Sequence, residues 1–330
     1  MKVFKYLLLF LFAVLLGLGG FVLLKAQAPL KTSEKERFVI PLQTSEEKIV
    51  ANLKEKGFLK SKRIFNLILS LKGWHAKIEP GAYLIAKNMN AYQLAKTLLA
   101  GPFQRWVVIP PGKRKEQVAL ILKQTLAWPD EMVLSFVQVA EEGYLYPDSY
   151  LINTDADPQQ VVQKLKANFN EKFDSPAGEL QKDLLEQNIR NDTAIKIASL
   201  IERESGGPED KPIIAGIIWN RLLEGMKLEI DATIQYALAT ENCFEPTFED
   251  CDFWPKLTGE MIRKTDSVYN TYQIDALPPG PICSPSLASI KAVAYPAETE
   301  AFYYLHSPDK QIHTAKTFKE HQENIEKYLK

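Results

Sequence analysis

The segment ASLIERES, residues 198–205, brings two glutamates to the end of an apolar stretch. On a helix of 3.6 residues per turn, one stripe collects the apolar side chains of the preceding residues, namely Ala194, Ile197, Ala198 and Ile201. Glu204 continues this stripe, whereas Glu202 lies at its edge and Arg203 points away. Burial penalises a charged carboxylate and raises its pKa, which suits a general acid near neutral pH. Glu204 is therefore a candidate catalytic acid.

A structural explanation accounts for the same pattern. Helices often end with a polar residue on the inner stripe, and Gly206-Gly207-Pro208 follows directly. Glu204 would then emerge into solvent at the helix end. Periodicity alone leaves both explanations open.

The elements around this helix combine strands and helices without βαβ regularity, which predicts an α+β fold. We expect a helix that starts at Thr44-Ser45 and is closed by Gly57, and a strand over 83–85 followed by an Asn90-capped helix. Farther along, Asp157 and Pro158 have the residue types that begin a helix.

The N-terminus contains an uncharged run over residues 6–24, long enough for one helix across the ~30 Å hydrocarbon core of a membrane. A cleaved signal peptide is the alternative, because AQA at 26–28 has the small-x-small pattern of a cleavage site. We favour an anchor over 1–25 with a polar linker over 26–36, since the run exceeds the usual signal-peptide core. Lysines flank both sides, so charge leaves the orientation undecided.

Composition excludes several classes of function. A chain of 330 residues with 46% hydrophobic residues can bury a sizeable core. Its net charge of -1 lacks the excess of positive charge that is typical of proteins that bind nucleic acid. We therefore predict no nucleic-acid partner. Cys243 and Cys251 either close a small loop or stay free thiols.

No cofactor or metal is predicted from the sequence. Walker, Rossmann and Ser-His-Asp signatures are missing. The histidines of the C-terminal region have no zinc-ligand spacing, and we interpret them as structural: His306, His313 and His321.

The block ASLIERESGGPEDKPIIAGIIWNRLLEGMKLEIDATIQYAL resembles the signature of the YceG-like, or MltG-type, endolytic murein transglycosylases. That signature has a helix with Glu-x-Glu, a second helix with Asn-Arg-Leu, and then Gly-Met-x-Leu-x-x-Asp-x-Thr. This chain supplies Glu202, Glu204, Asn220-Arg221-Leu222, Gly225-Met226, Leu228, Asp231 and Thr233. YNTY at 269–272 and LPPG at 277–280 continue the likeness, whereas Cys283 stands where a small residue is expected.

The resemblance implies an α+β protein with an N-terminal transmembrane helix, a small LysM-like module over 37–104 and a catalytic domain over 105–330. It implies a single-pass protein of the bacterial cytoplasmic membrane whose body lies outside the cytoplasm. The substrate would be peptidoglycan, cut between N-acetylmuramic acid and N-acetylglucosamine to leave 1,6-anhydro ends. The expected partners are glycan strands, the membrane and peptidoglycan synthases.

The resemblance also assigns roles to side chains, with Glu204 as acid and then base. Four residues suit hydrogen bonding and stacking to acetamido sugars, or else each satisfies buried backbone groups: Asn220, Gln235, Asn270 and Tyr272. Arg221 either binds a carboxylate of the substrate or forms an internal salt bridge. Asp231 either assists electrostatically or caps the next helix, and we favour the cap. Glu202 is either a partner behind the site or solvent-facing, and we favour the latter.

Two other functions compete with this interpretation. A non-catalytic wall-binding scaffold would hold glycan without cleaving it. A chorismate-processing lyase is a label that this family has carried, but the membrane helix and the missing pyridoxal motif argue against it.

Overall fold

The computed structural model describes residues 2–31, 33–173, 179–243 and 248–330. It begins with helix α1 (Lys2–Ala26). The part from Phe4 to Ala26 has a mean hydropathy of 2.9, and it is long and apolar enough to cross a membrane.

The chain divides into two compact units. The first contains Met1–Val107 and Tyr150–Asp155, and the second contains Val108–Ser149 and Ala156–Lys330. Strands and helices occur together in both, in agreement with the α+β prediction.

The first unit is built on a sheet of order β1-β2-β3-β4, in which β1 and β2 are antiparallel. Its elements are β1 (Lys35–Ile40), α2 (Glu46–Glu55), α3 (Lys62–Lys72), β2 (Gly81–Ala86), α4 (Ala91–Leu99), β3 (Gln104–Val108) and β4 (Ser149–Asn153). Ser45 caps α2 and Asn90 caps α4, which confirms both predicted helix starts. Helix α3 was not predicted from the sequence.

The second unit consists mainly of helices, with one antiparallel strand pair near its end. Its elements are α5 (Lys115–Leu126), α6 (Asp130–Val139), α7 (Pro158–Phe173), α8 (Leu180–Glu186), α9 (Asn191–Glu204), α10 (Asp210–Leu223), α11 (Asp231–Asn242), α12 (Gly259–Lys264), α13 (Leu287–Ala294), β5 (Tyr303–His306), β6 (Ile312–Ala315) and α14 (Phe318–Tyr328). Asp157 accepts a hydrogen bond from the Gln160 backbone at 2.9 Å, so the predicted start of α7 is confirmed.

Helix α9 lies in the core of the second unit and packs against α10 and α13. All four residues of the predicted apolar stripe are fully buried: Ala194, Ile197, Ala198 and Ile201. The stripe predicted from periodicity is therefore confirmed, and it fixes which way the end of α9 faces.

The Glu202 side chain is only 9% exposed, so the favoured prediction that it faces solvent is wrong. Its Oε2 accepts hydrogen bonds from Lys211 Nζ at 2.9 Å, Ser286 Oγ at 2.6 Å and Ser289 Oγ at 2.6 Å. Periodicity within α9 could not reveal these partners, because α10 and α13 supply them. Burial acts to raise the pKa of Glu202, but the hydrogen bonds from Ser286, Ser289 and Lys211 outweigh it and lower that pKa.

Two of the three cysteines form a disulfide, Cys243 with Cys251, which decides between the alternatives that the sequence left open. Cys283 is a buried free thiol whose Sγ donates to the Ser199 carbonyl. Because a free cysteine packs like a small hydrophobic residue, Cys283 suits this buried position, where a small residue is expected.

We predict that Lys211→Met lowers the free energy of unfolding by about 3 kcal/mol, because it leaves the Glu202 carboxylate buried without a cation. Urea unfolding of the full chain in detergent at pH 7, followed by near-ultraviolet circular dichroism, measures this loss. Glu202 has a lowered pKa in the folded state, so its contribution is present above its ordinary pKa of 4.5 and is lost as the pH falls. The deficit of the variant should therefore shrink in acid.

Lys182→Met is the matched control, because Lys182 pairs with Glu186 on an exposed helix face. It should cost under about 0.5 kcal/mol. Equal losses for Lys211→Met and Lys182→Met would contradict the importance of the buried pair.

Candidate active site

The end of α9 opens into a cavity of about 260 Å³ in the second unit. The ionisable side chains along its wall include Glu204, Arg221, Glu229, Asp231 and His321. Two other pockets in the described ranges, one beside α4 and one beside α5, have larger volumes, but no buried carboxyl group lines either of them. Volume alone therefore does not identify the site, and its chemistry does.

Glu204 is the last residue of α9 and lines the cavity. Its Oε2 accepts a hydrogen bond of 2.7 Å from the Tyr304 hydroxyl on β5. Burial raises the pKa of Glu204, the Tyr304 hydrogen bond opposes this rise, and the negative charge of Asp231 adds to it. The net effect is a carboxyl group with a raised pKa at the wall of a cavity.

Asp231 begins α11 and also lines the cavity. Our favoured prediction, that its carboxylate caps this helix, is wrong because Ile230 occupies the N-cap position. The Asp231 Oδ1 instead accepts a hydrogen bond of 2.8 Å from the Tyr272 hydroxyl. A difference of one residue in the helix start thus leaves the carboxylate in the cavity wall, where its charge acts on Glu204.

Arg221 lines the cavity but is committed to its own chain. Its Nε donates to the Phe302 carbonyl at 2.6 Å. Its Nη1 donates to the carbonyls of Lys227 and Leu228 and to Glu229 Oε2 at 3.2 Å. The internal salt bridge that the sequence left open is therefore present. These bonds hold the segment before α11 and help to shape the cavity.

Three of the predicted sugar-binding residues do not line the cavity. Each amide donates to a backbone carbonyl of a neighbouring segment: Asn220 to Thr299 and Ala301, Gln235 to Pro255, and Asn270 to Ile262 and Thr265. Tyr272 does line the cavity, together with Glu204, Arg221 and Asp231. The structure thus brings four of the seven predicted site residues together.

The sequence reading missed the aromatic side of the cavity. Tyr303 and Tyr304 of β5 line it, and His321 stacks on Tyr303 with ring centroids 5.4 Å apart. Burial and the charge of Arg221 lower the pKa of His321, which favours a neutral imidazole. The paired tyrosines in AFYYLH were a usable signal, since aromatic rings commonly stack on sugars.

The other two C-terminal histidines make local contacts. His306 bonds Asp210 at 3.0 Å, and His313 stacks on Tyr328. Within the described ranges, no group of three or more His, Cys, Asp or Glu side chains is placed to hold a metal ion. The chemistry available from these residues is proton transfer by Glu204 beside a second carboxylate.

Comparison with known proteins identifies the family of this chain. The sequence profile of the YceG-like family matches residues 38–327. An endolytic murein transglycosylase of Bacillus subtilis is 25% identical, over 88% of this chain and 84% of its own length. One from Streptococcus pneumoniae is 23% identical over 96% of this chain, which spans 64% of that protein.

A crystal structure of a similar protein supports the fold. A YceG-like protein from Listeria monocytogenes superposes with a TM-score of 0.57 at 25% identity. The match covers 88% of this chain and 99% of the Listeria chain. With most of its length matched by the profile, the chain belongs to the YceG-like family.

Proposed function

We propose that this protein is a lytic transglycosylase that cleaves peptidoglycan strands between N-acetylmuramic acid and N-acetylglucosamine. Membership of the YceG-like family and relatives named endolytic murein transglycosylases support the reaction class. The observation that carries the proposal is the Glu204 carboxyl group, which is desolvated at the cavity wall and bonded to Tyr304.

Glu204 carries out both proton transfers in this mechanism. Its protonated form donates a proton to the glycosidic oxygen as the bond from that oxygen to C1 of the muramoyl sugar breaks. The resulting carboxylate then accepts the proton of the sugar's own C6 hydroxyl, whose oxygen bonds to C1. The 1,6-anhydro ring closes, Glu204 is protonated again, and no water is consumed.

Asp231 supports this cycle from the wall of the same cavity. Most glycosidases need a second carboxylate as base or nucleophile, whereas here the C6 hydroxyl takes that place. The Asp231 charge raises the pKa of Glu204 and so keeps the acid protonated before the reaction. The same charge favours the positive charge that develops at C1. Tyr272 holds the Asp231 carboxylate by its hydrogen bond.

Helix α1 anchors the protein in the cytoplasmic membrane in this proposal, with both units outside the cytoplasm. Its length and mean hydropathy support an anchor, and the disulfide fits an oxidising compartment. The order β1-α2-α3-β2 with antiparallel strands supports a LysM-like module that holds glycan. Peptidoglycan synthases remain expected partners.

We predict that Glu204→Gln lowers the rate of glycan cleavage about 10²–10⁴-fold, because glutamine cannot transfer the proton. The full chain in detergent is mixed with purified peptidoglycan, and mass spectrometry measures the new ends. The wild type should yield anhydro-muramoyl ends, which are lighter by one water than hydrolysed ends.

Glu186→Gln is the matched control on an exposed helix and should cleave like the wild type. Cleavage by Glu204→Gln at the wild-type rate would remove Glu204 from the mechanism. Hydrolysed ends would point to a water nucleophile, and glycan binding without products would favour the scaffold function.

Two substitutions beside Glu204 should move the pH–rate profile in opposite directions. Tyr304→Phe removes a hydrogen bond that lowers the pKa of Glu204, so the alkaline limb of kcat/KM should move to higher pH. Asp231→Asn removes a charge that raises this pKa, so the limb should move to lower pH. Anhydro-product formation across a pH series measures both shifts.

Tyr295→Phe is the control for Tyr304→Phe, because the Tyr295 hydroxyl bonds Asp183 away from the cavity. Its profile should match that of the wild type. Shifts of the same sign in Tyr304→Phe and Asp231→Asn would contradict the electrostatic account.

A further inference from the structure

Arg203 precedes the proposed catalytic acid and lies face-on against an aromatic ring. Its Cζ is 3.8 Å from the centroid of the Trp254 ring, a distance at which the cation attracts the ring face. Trp254 lies outside every motif that the sequence resemblance used. The contact therefore needs its own explanation.

The hydrogen-bond donors of Arg203 are unused. The guanidinium makes no hydrogen bond to any residue in the described ranges, although its Nε is buried. Arg114, a buried arginine of the same unit, bonds Glu116, the Tyr236 carbonyl and Thr240 through all three nitrogens. Buried donors without partners are rare in folded proteins, so Arg203 has the capacity for an external acceptor.

Arg203 forms no salt bridge within the described ranges, although the charges of Glu202 and Glu204 act on its guanidinium. The Glu202 carboxylate accepts its hydrogen bonds from Lys211 and the serines of α13. Arginine stays protonated in proteins, so one positive charge remains beside the proposed site. An anion is the complementary ligand.

The surroundings of Arg203 form a fixed platform. Trp254 Nε1 donates to Gln117 at 3.3 Å, and Gln235 donates to the Pro255 carbonyl next to Trp254 at 3.0 Å. Gly112 also lies close to Arg203: a Cβ at this residue would be in ordinary van der Waals contact with Arg203 Nη1, at 3.5 Å.

The platform adjoins the proposed catalytic cavity. Arg203 is the chain neighbour of Glu204, which lines the cavity. On α11, Asp231 lines the same cavity, and Gln235 follows one turn later on the same helix face. Arg203 does not line the cavity itself, but its charge acts on the Glu204 carboxyl group and opposes the rise that burial causes in the pKa of that group.

We propose that Arg203 and Trp254 form a subsite for a carboxylate carried by the stem peptide of a muramoyl residue. The inference rests on the proposed function, because it takes peptidoglycan as the ligand. The acetamido-sugar backbone with its peptide-linked lactyl groups is uncharged, and the stem peptides carry the carboxylates. Guanidinium groups bind carboxylates with two parallel hydrogen bonds, which matches the unused donors of Arg203.

Binding to the full-length Glu204→Gln protein in detergent tests this subsite without cleavage. The probes are a disaccharide tripeptide with free carboxylates and the same compound with every carboxylate amidated, titrated by calorimetry. The free acid should bind about tenfold more tightly, as expected for a charge-assisted hydrogen bond. Adding Arg203→Met should make the two affinities equal, and Arg203→Lys should retain about a threefold preference because it keeps only the charge.

Arg190→Met is the matched control, since Arg190 is exposed and pairs with Asp192. It should retain the tenfold preference. Equal or undetectable binding of both probes to the Glu204→Gln protein, or a preference that survives Arg203→Met, would overturn the subsite. Anhydro-product formation by the wild type is measured separately, so failure of the proposed function is distinguishable from failure of the subsite.

Discussion

An ionisable carboxyl group terminates a helix whose inner stripe is otherwise fully buried, and the surrounding structure has to accommodate it. Removing a carboxylate from water is unfavourable, so the protonated form of Glu204 gains relative stability. Tyr304 from β5 supplies one hydrogen bond, and Asp231 at the start of α11 supplies a repelling charge. The Glu204 side chain therefore links the end of α9 to strand β5 and to the start of α11. Arg221 supports this arrangement by binding the carbonyls of the intervening segment.

The two glutamates of the Glu-x-Glu motif differ because their neighbours differ. Glu202 meets a lysine and two serine hydroxyls, and these lower its pKa despite burial. Glu204 meets one tyrosine hydroxyl and a second carboxylate, and its pKa rises. These opposed shifts support the proposal that Glu202 is a structural carboxylate and Glu204 the acid. The arginine between them faces a third environment, an aromatic ring, and keeps its hydrogen-bond donors unused.

Local signals in the sequence predicted what local physics decides. The 3.6-residue period identified the buried stripe of α9, and side-chain chemistry identified the caps at Ser45, Asn90 and Asp157. The hydroxyl partners of the two glutamates, Ser286 for Glu202 and Tyr304 for Glu204, lie 84 and 100 residues away, so no local pattern revealed them. The start of α11 was misplaced by one residue, which was enough to mistake a cavity-lining carboxylate for a cap.

The central claim is that the surroundings of Glu204 raise the pKa of its carboxyl group, so that the group stays protonated at pH values above the ordinary pKa of glutamate. Titration of the full chain carrying ¹³C-carboxyl-labelled glutamate, followed by nuclear magnetic resonance, measures this directly. The resonance missing from the Glu204→Gln protein identifies the group. We predict that this resonance titrates above 4.5, the ordinary value for glutamate, and a midpoint at or below that value would contradict the account.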